Sequence, residues 1–254
     1  MNVKFIGTAG SFLAANKSYP AIMINNDLLL DCGEGTTQKL IKINAIQKIS
    51  IVCITHLHND HIGGIFSLIW YYWLSGDRKD LKIIGPPKTR ETIEKILDLL
   101  NTPPSMSNSF KVDFIEWNDT NQIQKISTNN YDIKAIRVEH SILAFAYRIE
   151  KNNKSVCYSG DTAPSQNLIK LAEDCDLFIC ESTFPSQFKR IAAKYGHCTP
   201  YDLARLANES HSKKVAMVHI ASNYLDQIDK FKSQAEKEFG NEIIIAEDLM
   251  EIQI

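Results

Sequence analysis

The chain of 254 residues has no Cys-x-x-Cys pair, no excess of positive charge and no apolar run long enough to cross a bilayer. Each absence excludes something. Its six cysteines (Cys32, Cys53, Cys157, Cys175, Cys180 and Cys198) lack paired spacing and some fall in buried-looking strands, so they read as reduced core residues, which implies a cytoplasmic location. Lys and Arg total 28 against 30 Asp and Glu, and the formal net charge of −2 gives no general attraction to nucleic acid; an RNA role would need a local basic patch. The opening Met1-Asn2-Val3-Lys4-Phe5-Ile6-Gly7 already reads as strand and turn, so no signal peptide is expected. The longest apolar cluster runs from Ile65 to Leu74, carries Trp70, Tyr71, Tyr72 and Trp73, and ends at Ser75-Gly76. It is too short for a membrane span and suits a helix packed beneath a neighbouring loop. With 44% hydrophobic and 23% charged residues, the composition is that of an ordinary globular protein, and a single domain over 1–254 is expected.

Against this background one segment dominates: Thr55-His56-Leu57-His58-Asn59-Asp60-His61, directly after the apolar run Ile51-Val52-Cys53-Ile54. Three imidazoles and a carboxylate on the loop leaving a buried strand are four potential metal ligands aimed at one pocket. His56 and His58 are two apart and face the same way in extended backbone, while Asp60 and His61 lie beyond them and can reach a second position nearby. This geometry suits two metals. A merely polar loop would leave too many of the chain's seven histidines idle.

The segment resembles the His-x-His-x-Asp-His signature of the metallo-β-lactamase superfamily, which draws its remaining ligands from three later strand-end loops. Matching positions occur in the right order: His140 after Asp132 to Val138, Asp161 in Ser159-Gly160-Asp161-Thr162 after Ser155 to Tyr158, and His219 after Val215 to Val218. The resemblance implies that His56, His58 and His140 hold one metal and Asp60, His61 and His219 the other, with Asp161 bridging. Five His and two Asp suit zinc, with manganese or iron as alternatives.

Apolar patterning places strands near 3–6, 20–25, 27–31, 50–54 and 81–84, and helices near 35–44, 62–75 and 88–101, the last ended by Pro103-Pro104. The second half repeats the scheme. Strands near 111–116, 122–126, 131–138, 143–151 and 154–158 precede a helix near 165–173, a strand at 176–180, helices near 199–210 and 225–238, and strands at 214–218 and 242–245. Two sheets face to face with helices outside them satisfy this order, an α/β fold in the form of the superfamily's four-layer αβ/βα sandwich.

Finer resemblance points to ribonuclease Z and its small relatives, carried by Leu30-Asp31-Cys32-Gly33-Glu34-Gly35-Thr36, Glu181-Ser182-Thr183-Phe184 and Gly196-His197-Cys198-Thr199. It implies that Asp31 orients a ligand histidine by accepting its ring N–H. It also implies that Glu181 and His197 contact the phosphate and protonate the leaving 3′ oxygen, while the ions turn water into an attacking hydroxide beside Asp60. The plainer alternatives are that Glu181 caps a helix and that His197 organises its loop ahead of the helix start Thr199-Pro200. The chain departs from the ribonuclease Z pattern in two places. Only a hairpin fits between His140 and Asp161, where many of these enzymes insert a tRNA-gripping arm, and the loop Gly7 to Lys17 omits the usual Pro and Arg, with Lys17 as a substitute. The expected function is therefore a ribonuclease Z-like phosphodiesterase acting on a small phosphodiester or an RNA 3′ end, homodimeric by resemblance. The alternatives are a tRNA 3′-processing endoribonuclease proper, an arylsulfatase, thioesterase, lactonase or β-lactamase of the same fold, and a non-catalytic metal-bound sensor.

Overall fold

A computed structural model describes residues 1–75, 80–103, 105 and 111–254. Its first sheet contains β1 (Asn2–Gly7), β2 (Ala21–Ile24), β3 (Leu28–Leu30), β4 (Ile51–Cys53), β5 (Leu81–Gly85) and β6 (Val112–Glu116) in that spatial order. The second contains β7 (Gln124–Ser127), β8 (Asp132–Val138), β9 (Ala144–Lys151), β10 (Lys154–Tyr158), β11 (Leu177–Glu181), β12 (Val215–Val218) and β13 (Ile243–Ile245). A last strand, β14 (Glu251–Gln253), returns to the first sheet and pairs antiparallel with β1. Each sheet is antiparallel in one half and parallel in the other, the parallel strands being β3 to β6 and β10 to β13.

The parallel strands are short and largely buried, wholly so in Ile51-Val52-Cys53 and Val215-Ala216-Met217-Val218, because both of their faces are covered. Between the sheets lies a core containing Phe5, Phe145, Tyr147, Tyr158 and Leu177. On the outer face of the first sheet pack α1 (Thr36–Lys42), the short turn α2 (Asn59–Ile62), α3 (Ile65–Ser75) and α4 (Thr89–Leu99). On the outer face of the second pack α5 (Gln166–Ala172), α7 (Pro200–Glu209) and α8 (Ile228–Phe239), with α6 (Lys189–Tyr195) preceding α7. This is the expected four-layer sandwich. Among the described residues, no helix is long and apolar enough to cross a membrane.

The differences from expectation are local. The helix expected over 62–75 is split into α2 and α3 at Gly63-Gly64, where a Cβ on Gly64 would lie 2.2 Å from the carbonyl oxygen of Gly33. The helix expected at 225–238 begins with a 3-10 segment, Ser222–Gln227. Helix α6 and strand β14 were not expected. Two expected helix-ending residues, Gly76 and Pro104, lie outside the described residues. Thr199 caps α7 by the reciprocal arrangement in which its hydroxyl accepts from the Asp202 N–H and the Asp202 carboxylate accepts from Thr199, with Pro200 at the first turn.

Tyr147 ties the two sheets together immediately beneath the His-rich loop. Its hydroxyl lies 2.9 Å from the carbonyl of Ile54 and 3.2 Å from that of Ile84, and it accepts from the Trp117 indole N–H at 2.9 Å. Tyr147→Phe leaves a buried indole donor unpaired, so it should cost about 1–3 kcal/mol and lower the urea midpoint with an unchanged slope. An unaltered midpoint would show that these bonds contribute nothing to stability.

Candidate metal centre

The carboxyl ends of the parallel strands meet at one end of the sandwich, the position where open α/β sheets place their chemistry. Asp31 follows β3, Thr55 to His61 follow β4, Asp161 follows β10, Glu181 closes β11 and His219 follows β12; His140 comes from the end of β8. His58 is extended (φ −71°, ψ 150°) and Asp60 and His61 sit in the first turn of α2, so the chain turns sharply between the pair His56 and His58 and the pair Asp60 and His61. Asp31 and His219 both hold a left-handed backbone at φ 59°, a conformation that costs a non-glycine residue roughly 1–3 kcal/mol. Gly160 (φ 57°) and Gly196 (φ 74°) are there for space as well as for φ. A Cβ on the first would meet the Thr55 side chain at 2.8 Å, and one on the second would meet the His140 backbone at 2.7 Å.

Seven of the expected residues form two adjoining clusters. In the first, the nitrogens of His56 (Nε2), His58 (Nδ1) and His140 (Nε2) converge, with Nε2 of His56 3.0 Å and Nε2 of His140 3.2 Å from Nδ1 of His58. In the second, His61 Nε2 lies 3.7 Å from Asp60 Oδ2 and 3.3 Å from Asp161 Oδ1, and His219 Nε2 lies 3.5 Å and 3.4 Å from the same two oxygens. Asp161 also faces the first cluster, its Oδ2 being 4.0 Å from His56 Nε2. Asp60 Oδ2, His61 Nε2, Asp161 Oδ1 and His219 Nε2 are all buried without a hydrogen-bond partner. Buried polar atoms are otherwise almost always paired, so a convergent set of orphans fits a cation among them.

Electrostatics favour the ligating forms in the first cluster and at Asp161, whereas at His61 burial lowers the pKa but the Asp161 and Asp31 carboxylates more than offset it and raise it well above the ordinary imidazole range. Burial, then the neighbouring His61, hold His56 well below the ordinary imidazole range, and burial also lowers His58 and His140, which favours neutral rings. Burial opposes ionisation of Asp161, but His219 and His61 outweigh it and keep this carboxyl well below the usual carboxylate range.

Asp31, fully buried, accepts from His61 Nδ1 at 2.7 Å and from the Tyr158 hydroxyl at 3.0 Å. Glu181 does not cap a helix. It is fully buried at the end of β11 and accepts from His197 Nδ1 at 2.8 Å and from the Thr162 N–H at 2.8 Å. His197, expected as the acid or as a loop organiser, lies at the edge of the centre with its Nδ1 3.9 Å from Asp161 Oδ2. Burial lowers its pKa, but the Glu181 carboxylate more than offsets this and raises it to about 9. Lys17 is held at the base of its own loop, where its Nζ donates to Thr8 Oγ1 at 3.1 Å. Two hydroxyls not anticipated from the sequence, Thr55 and Thr183, lie between these carboxylates and the clustered histidines.

The beta-lactamase superfamily domain model matches residues 26–220, and that superfamily is the class this sandwich and strand-end site define. A "Ribonuclease Z" of Sulfurisphaera tokodaii is 30% identical over 94% of this chain and 95% of its own length, and that of Methanosarcina acetivorans is 27% identical over 100% and 98%. In fold, the chain matches the metallo-beta-lactamase fold protein YhfI from Bacillus subtilis (TM-score 0.83, 23% identity, 99% and 98% covered). It also matches the short form of human tRNase Z (TM-score 0.82, 24% identity, 100% and 99% covered). The chain belongs to the ribonuclease Z family of the beta-lactamase superfamily, metal-dependent hydrolases with a dinuclear site for divalent ions.

The geometry predicts about two divalent ions per chain after reconstitution. Asp161→Ala, which removes the carboxylate facing both clusters, should lose both ions and turnover, whereas Asp60→Ala should mainly empty one position. Elemental analysis after gel filtration checks this, and Asp161→Ala retaining two ions and activity would contradict it.

Proposed function

We propose that this chain is a phosphodiesterase of the ribonuclease Z type, in which His56, His58 and His140 would hold one ion and Asp60, His61 and His219 the second, with Asp161 available to both. The observation that carries this reading is the set of four convergent buried atoms without a hydrogen bond lying beside the buried Glu181 and its partner His197. The chemistry supplied by ions in those positions is the acidification of a water and the neutralisation of charge on phosphoryl oxygens. Zinc suits the five imidazoles and two carboxylates best.

The chain's own residues supply the remainder. Asp60, whose Oδ2 faces His61 and His219, orients the nucleophilic water or takes its proton. Glu181 holds Nδ1–H of His197 at 2.8 Å, so Nε2 is the ring atom left to serve the departing oxygen. Because its pKa is raised to about 9, His197 carries a proton throughout the neutral range and can give it to an alkoxide.

The substrate proposed is a phosphodiester recognised close to its scissile bond, either the 3′ end of an RNA or a smaller diester. The alignment to the Methanosarcina relative spans 309 positions against 254 residues here, so the relatives carry segments that this chain lacks. Between His140 and Asp161 stands only the β9 and β10 hairpin, which offers no arm for gripping a distant part of a tRNA. The cations around this hairpin are engaged locally: Arg137 pairs with Asp119, Lys134 pairs with Glu150, and Lys151 lies over the Tyr131 ring. Six buried free cysteines suit a cytoplasmic setting, and a homodimer is proposed from the family.

Replacing His197 by Ala should leave metal content unchanged and slow hydrolysis of a diester with a ribose 3′ oxygen as leaving group by roughly 10²–10⁴-fold. A p-nitrophenolate leaving group needs little protonation and should be affected far less. Equal losses on both substrates with both ions retained would assign His197 to phosphate binding and remove it as the acid.

A further inference from the structure

Each half of the sandwich contains the same three-part device at the end of a parallel strand. In the first half, Thr55 gives both its backbone N–H (2.7 Å) and its hydroxyl (2.9 and 3.0 Å) to the Asp31 carboxylate, which directly holds His61. The same hydroxyl oxygen lies 3.0 Å from Nδ1 of His56. In the second half, Thr183 gives its N–H (3.1 Å) and its hydroxyl (2.7 Å) to the Glu181 carboxylate, which directly holds His197, and its oxygen lies 2.9 Å from Nδ1 of His219. Asp31, Thr55, Glu181 and Thr183 are all buried.

Counting protons decides the direction of every bond. A hydroxyl has one hydrogen, and an ionised carboxylate can only accept. Asp31 and Glu181 therefore take the hydroxyl hydrogens, and each threonine oxygen has only lone pairs left for the neighbouring ring. That ring must present N–H at Nδ1, which in the neutral ring needed for metal ligation leaves a bare lone pair at Nε2. In His56 this lone pair points at His58 and Asp161; in His219 it points at Asp60 and Asp161. The opposite tautomer would place an N–H at the metal position and leave two lone pairs facing each other across the threonine.

We propose that Thr55 and Thr183 are matched positioning residues, each relaying a buried carboxylate to one metal-ligating histidine and fixing that ring as the Nδ1–H tautomer, Thr55 for the first ion and Thr183 for the second. This rests on the ligand assignment above. It also explains why Glu181 serves both ligation and proton donation: through Thr183 it fixes His219, and directly it fixes His197. The two roles share one carboxylate.

The test is competitive chelator titration of zinc with wild type, Thr55→Val and Thr183→Val, and with the serine variants, which keep the hydroxyl and lose only a methyl group. Loss of an outer hydrogen bond to a ligand typically weakens metal binding roughly 10–100-fold. Each valine variant should lower one of the two zinc affinities by that factor and leave the other, the two variants should affect different ions, and serine should restore binding. Ring ¹⁵N shifts of the metal-free wild type should show His56 and His219 as Nδ1–H tautomers, a readout that needs no folded variant. Wild type binding two ions with valine variants unaffected, or both rings found as Nε2–H, overturns the threonine relay alone. Wild type binding no more than one ion overturns the ligand assignment beneath it.

Discussion

Bringing electron-rich atoms together in a dry site is unfavourable unless something positive lies among them, and this constraint organises the whole chain. Two imidazole nitrogens of the first cluster lie 3.0 and 3.2 Å from a third, and the second cluster places two carboxylate oxygens and two more ring nitrogens without a hydrogen bond among them. Left free, such groups would swing apart or take up water. Here they cannot swing, because they come from the ends of buried strands and are tied from behind. Asp31 and Thr55 hold one pair of rings, the Gly196 carbonyl holds His140 at 2.9 Å, and Glu181 and Thr183 hold another pair. The left-handed backbones of Asp31 and His219 are a local cost of reaching these positions, offset by the packing of the strands that precede them, whose last residues Leu30 and Val218 lie in the core between the sheets.

The mirrored sheets explain how one chain assembles this. In each, the parallel half ends at the site and the antiparallel half closes the far edge, so residues distant in sequence arrive from both sheets. Asp161 is the meeting point: it follows β10 of the second sheet yet faces His56 and His61 from the loop after β4 of the first. Tyr147 performs a related task one layer down, joining β9 to the carbonyls of Ile54 and Ile84.

The parts of the site legible in sequence were those with local spacing. His56, His58, Asp60 and His61 lie within one loop, and their types at that spacing already imply two positions. His140, Asp161 and His219 could be identified only through the family resemblance, by matching its order and strand-end setting, because nothing local distinguishes a metal-binding histidine from a solvated one. Thr55 and Thr183 were illegible. A threonine at a strand end is an ordinary β-former, and the carboxylate that makes it useful is 24 residues away for Thr55, although only two away for Thr183. The sandwich was legible from apolar periodicity, but β14 was not, since three residues pairing with the opposite end of the chain leave no local pattern. Helix α6 escaped for a similar reason: seven residues rich in Lys and Arg carry little amphipathic signal, and only Gly196 marks their end.

The central claim is that this centre hydrolyses phosphodiesters, and the most direct measurement compares the zinc-loaded protein on four substrates: bis(p-nitrophenyl) phosphate, a tRNA precursor with a 3′ trailer, a thioester and a β-lactam. Turnover of one or both phosphodiesters is expected, with any cleaved RNA ending in a 3′ hydroxyl, and no significant turnover of the thioester or lactam. Rapid hydrolysis of the thioester or lactam with both phosphodiesters left intact would contradict it.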